Sequence, residues 1–146
     1  MNIRIRSACI DDLDSIFNLI SELEENNVDR DYFITTYQEN IQNKNIYYLV
    51  AETTNIIVGF ISLHMQFLLH HKKVTGEIQE LIVSEKYRNK SIGKKLVDEV
   101  EKIAHELNLE EIELTTRISR NQAQIFYQNL GFKHTHNKYV KLLGVK

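Results

Sequence analysis

The sequence has few of the residues that mark secreted, membrane-bound or nucleic-acid-binding chains. Its 146 residues include no proline and a single cysteine, Cys9, which excludes an internal disulfide framework and favours a reducing, cytoplasmic location. It has no apolar run of membrane-spanning length and no signal-peptide pattern after Met1. The 18 basic residues are balanced by 20 acidic residues, giving a formal net charge of -2. We therefore expect a protein that binds neither nucleic acid nor membrane.

Signs of an internal boundary are also missing. The chain has no low-complexity tract and no repeat, and without proline it has no linker of the usual composition. A chain of this length buries enough apolar surface to fold without disulfides or metal ions. The sequence therefore predicts one domain covering residues 1–146.

The stretch from Gly76 to Glu106 predicts a strand, a positively charged loop and an amphipathic helix. An aliphatic run forms the strand, and apolar residues recur at helical spacing from Leu96 to Leu107. A loop that leads from a strand into a helix points unpaired backbone N–H groups and the positive end of the helix dipole at one place. The residues of this loop are Arg88, Asn89, Lys90, Ser91, Ile92, Gly93 and Lys94. They predict a diphosphate site, although a solvated basic turn would have the same composition.

The loop fits neither the nucleoside-triphosphate pattern GxxxxGK[ST] nor the dinucleotide pattern GxGxxG. It resembles the acyl-CoA loop of the GCN5-related N-acetyltransferase (GNAT) family, which has Arg or Gln, two residues, Gly, one residue, then Gly or Ala. Here the matching residues are Arg88, Ser91 and Gly93. Serine replaces the first glycine, and we expect Ser91 to cap the following helix with its side chain.

A second motif near the end of the chain resembles the closing motif of the same family. Ser119 with Gln122 predicts a capping box, and Gly131 predicts the end of a short helix with a buried side that includes Ile125. Two motifs in the expected order are more specific than one. The motif residues are Asn121, Ala123, Phe126, Tyr127, Gly131 and Phe132.

The resemblance implies an α/β (α+β) GNAT fold, with a mixed, mostly antiparallel sheet of six to seven strands flanked by about four helices. Tyr32 and Tyr37, in the second helix, are either core residues or walls of a substrate pocket. Asp11 or Asp12 is expected to cap the first helix. The remaining pattern predicts helices over 13–23 and 30–43, strands over 2–6 and 111–116, a hairpin of 46–51 with 56–63 turning at 54–55, and a final hairpin over 133–143.

Three histidines follow the second strand of the first hairpin. In an extended conformation His64, Gln66 and His70 share one face, which predicts a cleft wall that contacts substrate. Because neutral imidazole is a common metal ligand, His64, His70 and His71 are also candidates for a divalent metal site. A polar strand face with no ligand explains the same residues.

The stretch from Gly59 to Leu81, with these histidines, is similar to the aminoalkylphosphonate N-acetyltransferase branch of the family. That branch acetylates small aminophosphonates, and a divalent metal is associated with its activity. The sequence itself gives no sign of phosphonate recognition. Arg4, Arg117 or Arg120 is a candidate contact or ordinary surface.

Transfer of an acetyl group from a thioester to an amine needs a base for the amine and an acid for the leaving thiolate. Glu77, favoured by the branch, and Glu80, favoured by the wider family, are the candidate bases. Their opposite parity predicts that only one faces the cleft. Tyr127 is the candidate acid, since a phenol has a pKa near ~10.

The resemblance also implies the remaining cofactor contacts. Backbone amides of Leu81, Ile82 and Val83 would hold the thioester carbonyl where two parallel strands splay, and Asn121 would be a further contact to acetyl-CoA. The expected function is acetyl-CoA-dependent N-acetylation of a small primary amine, with an aminoalkylphosphonate as one candidate. The alternatives are a polyamine, an amino acid or an amino sugar as substrate, or a non-catalytic acetyl-CoA-binding regulatory domain. The resemblance implies a homodimer.

Overall fold

A computed structural model describes residues 1–144. The chain forms two compact units, Met1–Leu114 and Thr115–Lys146. No helix in the described part of the chain is long and apolar enough to cross a membrane. The first unit contains β1 (Arg4–Ser7), α1 (Leu13–Leu23), α2 (Arg30–Asn40), β2 (Ile46–Thr53), β3 (Ile56–Gln66), β4 (Thr75–Val83), α3 (Ile92–Glu106) and β5 (Ile112–Leu114); the second contains α4 (Asn121–Asn129).

The strands of the first unit form one sheet in the order β1-β2-β3-β4-β5. The first three pairs are antiparallel and β4 pairs with β5 in parallel, which confirms the predicted mixed, mostly antiparallel sheet. The two expected turn residues join β2 and β3, with Thr54 at φ 43° and Asn55 at φ 63°. Positive φ at both positions is typical of a type I′ hairpin turn.

The predicted count of six to seven strands is wrong for the described residues, which form five. The final hairpin is missing, because residues 133–143 adopt neither strand nor helix. Their apolar side chains have no buried surface to pack on, with Tyr139 91% and Leu143 83% exposed. A two-stranded hairpin without such packing is marginal in water.

Helix α1 turns one apolar side to the sheet, where Ile16 and Leu19 are buried. The predicted side-chain cap is absent, because the Asp12 carboxylate bonds elsewhere. It accepts the Cys9 backbone N–H at 2.8 Å and pairs with Arg6 at 2.8 Å. These contacts fasten the end of β1 to the start of α1.

Helix α3 packs closely on the sheet through the side that carries Leu96, Val97, Val100 and Ala104. A Cβ atom on Gly59 would lie 3.1 Å from Leu96 Cδ1, so the glycine lets the helix approach β3. The start of α3 is thereby fixed next to the end of β4.

In the second unit, α4 begins after Arg120 with no side-chain cap, so the predicted capping box of Ser119 and Gln122 is wrong. Gln124 Nε2 instead donates to the Ile118 carbonyl at 2.8 Å. Ile125, predicted to be buried, is 57% exposed. The helix ends as expected before Gly131, whose φ of 94° suits a residue just past a helix terminus.

Candidate active site

A β-bulge decides which carboxylates of β4 share a face of the sheet. Two residues of β4, Gln79 and Glu80, oppose the single residue Ser62 of β3. Side chains alternate along a regular strand, and one extra residue reverses that alternation. Glu77, which pairs with His64, and Glu80 therefore lie on the same face. The expected opposite parity of Glu77 and Glu80 is therefore wrong, because the strand is irregular between them.

The Ser62 hydroxyl holds Glu80 at the bulge. Ser62 Oγ accepts the Glu80 backbone N–H at 3.0 Å and donates a hydrogen bond to Glu80 Oε1. Ser62 is fully buried, whereas Glu80 keeps partial exposure. The carboxylate is thus anchored at one oxygen.

A separate chain of hydrogen bonds holds Glu77. Gln66 Nε2 donates to Glu77 Oε1 at 2.7 Å, and Thr75 Oγ1 donates to Gln66 Oε1 at 3.3 Å. Thr75 is fully buried. The Gln66 amide, predicted to contact substrate, is therefore occupied by two protein side chains.

His64 lies on the same face and is half-buried between the two acidic positions. Its Nε2 atom is buried without a hydrogen-bond partner in the described part of the chain. Burial lowers the pKa of His64, against the opposing effect of Glu80 and Glu77. The imidazole is therefore neutral near pH 7.

The three histidines considered as metal ligands, His64, His70 and His71, do not form one site. Strand β3 ends at Gln66, so His70 lies in a turn and not on the strand face predicted for it. His64 pairs with β4 on the strand, whereas the His70 and His71 rings lie beyond the strand and contact each other at 4.5 Å between centroids.

Among residues 1–144, the one group of three converging His, Cys, Asp or Glu ligands is His71, Glu110 and Glu111, with ligand atoms within 4.8 Å of one another. A salt bridge accounts for it: His71 Nδ1 lies 2.7 Å from Glu110 Oε2. Hydrogen bonding to Glu110 raises the pKa of His71, and the same bond lowers the pKa of Glu110. Glu110 Oε1 also accepts the Lys72 backbone N–H at 2.8 Å.

A cavity of about 160 Å³ opens beside Glu80, and we call it the aromatic cavity. Side chains from α1, α2 and three strands form it, and nearly all are aromatic or aliphatic. Among the described residues that line it, Glu80 is the only charged one and none is basic. The lining consists of Ile16, Ile20, Val28, Tyr32, Phe33, Thr36, Tyr37, Tyr48, Phe60 and Glu80. Such a cavity suits a small molecule with an apolar body and one cationic group.

Both tyrosines of α2 line the aromatic cavity, but they differ in burial. Tyr37 is buried core as well as cavity wall, and its hydroxyl donates to the Cys9 carbonyl at 2.6 Å. Tyr32 is 72% exposed and belongs to the wall alone. Across the cavity, Tyr48 accepts a hydrogen bond from Asn40 Nδ2 at 2.8 Å. Burial raises the pKa of both Tyr37 and Tyr48, so both phenols are neutral.

The cofactor loop, residues 88–94, lies between β4 and α3 as predicted, and its last three residues form the start of the helix. The first backbone hydrogen bond into the helix runs from Lys95 N to Ser91 O at 3.1 Å. The N–H groups of Ile92, Gly93 and Lys94 therefore have no partner within the helix. Together with the helix dipole, they make this terminus suitable for a phosphate.

The side chains of the cofactor loop behave differently from the expectation. Ser91 precedes α3 but makes no capping hydrogen bond, so its predicted role as a side-chain cap is wrong. Its φ of 62° is left-handed, a conformation that favours glycine. Arg88 Nε donates to the Val83 carbonyl at 3.2 Å, and Lys94 pairs with Asp98 at 2.8 Å. The loop therefore offers mainly backbone groups.

Pairing between the parallel strands β4 and β5 covers only the first part of β4. Pairing between β4 and β5 stops at Ile78 and Leu114, whereas β4 continues to Val83. On this side of β4, the backbone of Leu81, Ile82 and Val83 has no β5 partner.

The candidate acid lies in the second unit. Tyr127 packs edge-on against Phe126 and Phe132, with ring centroids 5.2 and 5.8 Å away. Burial raises the pKa of Tyr127, and the charge of Arg120 opposes that rise. The phenol therefore keeps its proton above neutral pH. Asn121 is the first residue of α4 and is exposed.

Sequence reasoning missed Ser62 and Thr75, which hold the two carboxylates. Neither lies in a recognisable motif, and each is a small polar residue within a hydrophobic strand. A buried hydroxyl in a strand needs a hydrogen-bond partner, which is the signal that would have indicated them. Thr36, in the aromatic cavity, carried no signal.

Comparisons with known proteins agree with the fold and the motifs. Residues 13–132 match the acetyltransferase (GNAT) family. The aminoalkylphosphonate N-acetyltransferase of Salmonella typhimurium is 40% identical over 139 residues, covering 95% of this chain and 90% of that protein. An aminoglycoside N-acetyltransferase solved in complex with CoA has a TM-score of 0.87 at 16% identity, covering 99% of this chain and 96% of that one. A transcriptional regulator from Bacillus halodurans has a TM-score of 0.89 at 23% identity, covering 97% and 100%.

The family match begins with α1 and extends beyond α4, so it includes both motifs on which the resemblance rested. The match to the Salmonella enzyme extends over nearly the whole chain. These findings confirm the predicted family and fold. The chain belongs to the GNAT family and is an N-acetyltransferase.

Proposed function

We propose that residues 1–146 act as one acetyltransferase domain that moves an acetyl group from acetyl-CoA to a small primary amine. The observation that carries this proposal is the position of Glu80, the single charged side chain among the described residues of the aromatic cavity. An alkyl amine is an ammonium ion at neutral pH. A carboxylate in an otherwise apolar cavity attracts that ion and can accept its proton.

Glu80 is a better candidate base than Glu77. Glu80 lines the aromatic cavity, whereas Glu77 does not and is held by Gln66. Both carboxylates share one face, so Glu77 adds negative charge near the amine without contacting it. The proposed role of Glu77 is therefore electrostatic, and that of Glu80 is chemical.

The cofactor loop fits the diphosphate of acetyl-CoA through the open N–H groups of Ile92, Gly93 and Lys94. Asn89, Lys90 and Asn121 complete the proposed contacts. Backbone N–H groups in the part of β4 that extends beyond its pairing with β5 are the proposed contacts to the thioester carbonyl. Donors in such a position stabilise the oxyanion that forms during acyl transfer.

The proposed reaction conserves atoms and protons without a covalent enzyme intermediate. The Glu80 carboxylate accepts a proton from the ammonium group, and the free amine forms a C–N bond to the acetyl carbon. The C–S bond then breaks, and the Tyr127 hydroxyl gives its proton to the departing thiolate. The second proton of the nitrogen passes through solvent to the Tyr127 phenolate, and Glu80 releases its proton to solvent, which restores both side chains. The role of Tyr127 is supported by the α4 motif and by a pKa that keeps the phenol protonated.

An aminoalkylphosphonate is the substrate that we favour, because the Salmonella relative carries that name at 40% identity. The described lining of the aromatic cavity has no basic residue, so the cavity suits the amine end of such a molecule and not its phosphonate. A polyamine, an amino acid or an amino sugar is the alternative. Because His64 and His70 join no group of three converging ligands, the proposal assigns them to substrate and not to metal.

The test is acetyl-CoA turnover, measured by thiol release, with a panel of amines. Aminomethylphosphonate and aminoethylphosphonate are compared with spermidine, glycine and glucosamine 6-phosphate, each with and without chelator. Preference for the phosphonates supports the favoured substrate. Turnover with another amine alone keeps the reaction and replaces the substrate, and binding of acetyl-CoA without any turnover contradicts the proposed reaction.

We also propose a cytoplasmic homodimer, since the resemblance implies one. Sedimentation of the purified protein checks the oligomeric state. A monomer at micromolar concentration would contradict it.

A further inference from the structure

Ser62 has a special place in the ladder between β3 and β4. The bulge puts Gln79 and Glu80 opposite this one residue, and a bulge disrupts the regular backbone pairing. The Ser62 hydroxyl compensates by accepting the Glu80 N–H at 3.0 Å. An unpartnered N–H in a buried strand would be unfavourable, so this contact helps the bulge to exist.

The same hydroxyl also fixes the direction of a side chain. A serine hydroxyl has one donor and two acceptor lone pairs, so it can accept the Glu80 N–H and donate to Glu80 Oε1 at the same time. Ser62 is fully buried, which limits its motion. In the described residues no hydrogen bond reaches Glu80 Oε2.

The two carboxylates of the face therefore differ in what orients them. Glu77 is held by the Gln66 side chain, which is itself held by Thr75. For Glu80, the one hydrogen bond to the carboxylate within residues 1–144 comes from Ser62. Loss of the Ser62 hydroxyl would leave the Glu80 carboxylate without its anchor.

We propose that Ser62 is a positioning residue for acetyl transfer, which holds Glu80 so that its second oxygen faces the amine in the aromatic cavity. This inference rests on the proposed role of Glu80 as base. A base must lie within hydrogen-bond reach of the proton that it removes, and a misplacement of about 1 Å can lower turnover about 100-fold.

The experiment is a double-mutant cycle between Ser62 and Glu80, with kcat and both KM values measured at each corner. We expect Ser62→Ala to lower kcat about 50-fold and to leave the KM for acetyl-CoA unchanged. In the Glu80→Gln background, the same replacement should lower kcat by less than about threefold, because the residue it positions is already lost.

Two further variants separate positioning from folding. Ser62→Cys keeps a weak donor of similar size and should recover part of the lost kcat. Thr53→Val removes another buried hydroxyl from the same sheet, away from either carboxylate, and should change kcat by less than about twofold. Thermal melting of each variant shows whether it is folded at the assay temperature.

The proposal is overturned if Ser62→Ala lowers kcat equally in both backgrounds, or if Ser62→Cys behaves like Ser62→Ala while both are folded. Failure of the proposed function gives a different result. In that case Glu80→Gln alone would keep wild-type turnover, whatever the change at Ser62.

Discussion

The cofactor loop and the aromatic cavity differ in where their binding groups come from. The loop is one continuous segment, residues 88–94, and presents backbone N–H groups at the start of α3. The cavity draws side chains from two helices, the loop between them and three strands. A site of backbone groups depends on local conformation, whereas a site of side chains depends on the packing of the whole unit.

This difference explains how each site can vary. Diphosphate recognition by N–H groups tolerates many side chains, provided that the loop keeps its path. The cavity changes shape with any one of its lining residues. The amine substrate should therefore be easy to alter by substitution, and the acetyl donor difficult.

The largest expected effect separates the two carboxylates that share a face of the sheet. Glu80→Gln should lower kcat about 1,000-fold, within the range for loss of a general base, with the KM for acetyl-CoA unchanged. Glu77→Gln is the matched control and should lower kcat less than about tenfold. Steady-state kinetics with both substrates varied checks this. A greater loss in the Glu77 variant would transfer the role of base to that residue.

Tyr127→Phe comes next and tests the leaving-group side of the reaction. It should lower kcat about 100-fold, because the thiolate then leaves without a proton donor. Because burial raises the pKa of Tyr127, its hydroxyl keeps its proton beyond the ordinary pKa of a phenol. The alkaline fall in kcat should therefore lie above about pH 10. Measurement of kcat from pH 6 to pH 11 checks the position of this alkaline fall. If the Tyr127→Phe variant kept both the wild-type kcat and its alkaline fall, another group would be the acid.

Ser91 gives a smaller effect, confined to the cofactor loop. Ser91→Gly removes the strain of a left-handed φ of 62° and should stabilise the protein by about 0.5–1 kcal/mol. Ser91→Val places a β-branched residue in the same conformation and should raise the KM for acetyl-CoA about tenfold. Calorimetry of the two variants checks the change in stability, and steady-state kinetics checks the KM for acetyl-CoA. Equal behaviour of the two variants would show that loop conformation does not control acetyl-CoA binding.

The smallest effect belongs to the open side of the aromatic cavity. Tyr32→Ala should raise the KM for the amine about threefold to fivefold, since an exposed ring contributes modest contact area. The KM for acetyl-CoA and the melting temperature should not change, because Tyr32 is outside the core. A parallel rise in both KM values would mean that the cavity and the loop are not separate sites.

Local signals in the sequence predicted the cofactor loop and the fold. The loop, the 54–55 turn and the stripe of α3 each lie within a short segment, so periodicity and motif spacing are enough to find them. The aromatic cavity was not predicted as a unit, because its residues come from distant segments. Side-chain partners were also missed: Asp11 or Asp12 was expected to cap α1, and Ser91 to cap α3, but neither side-chain cap forms.

The position of Glu80 was missed for a different reason. Parity along a strand assumes a regular ladder, and no residue type in β4 marks where the extra residue lies. The final hairpin was predicted from loose alternation alone. The described segment 133–143 shows that alternation is insufficient where a strand has no neighbour.

Because of the bulge at Gln79 and Glu80, the number of residues between two positions of β4 no longer tells which face of the sheet each side chain lies on. Beyond the extra residue, each side chain of the strand lies on the face opposite to the one that regular alternation would give it. Two acidic residues three positions apart here share one face of the sheet, as two residues two positions apart would in a strand without the insertion. Relatives with and without this one residue can therefore present the same pair of carboxylates at different sequence spacings. A residue-by-residue transfer of roles between such relatives would assign one carboxylate to the wrong face of the sheet.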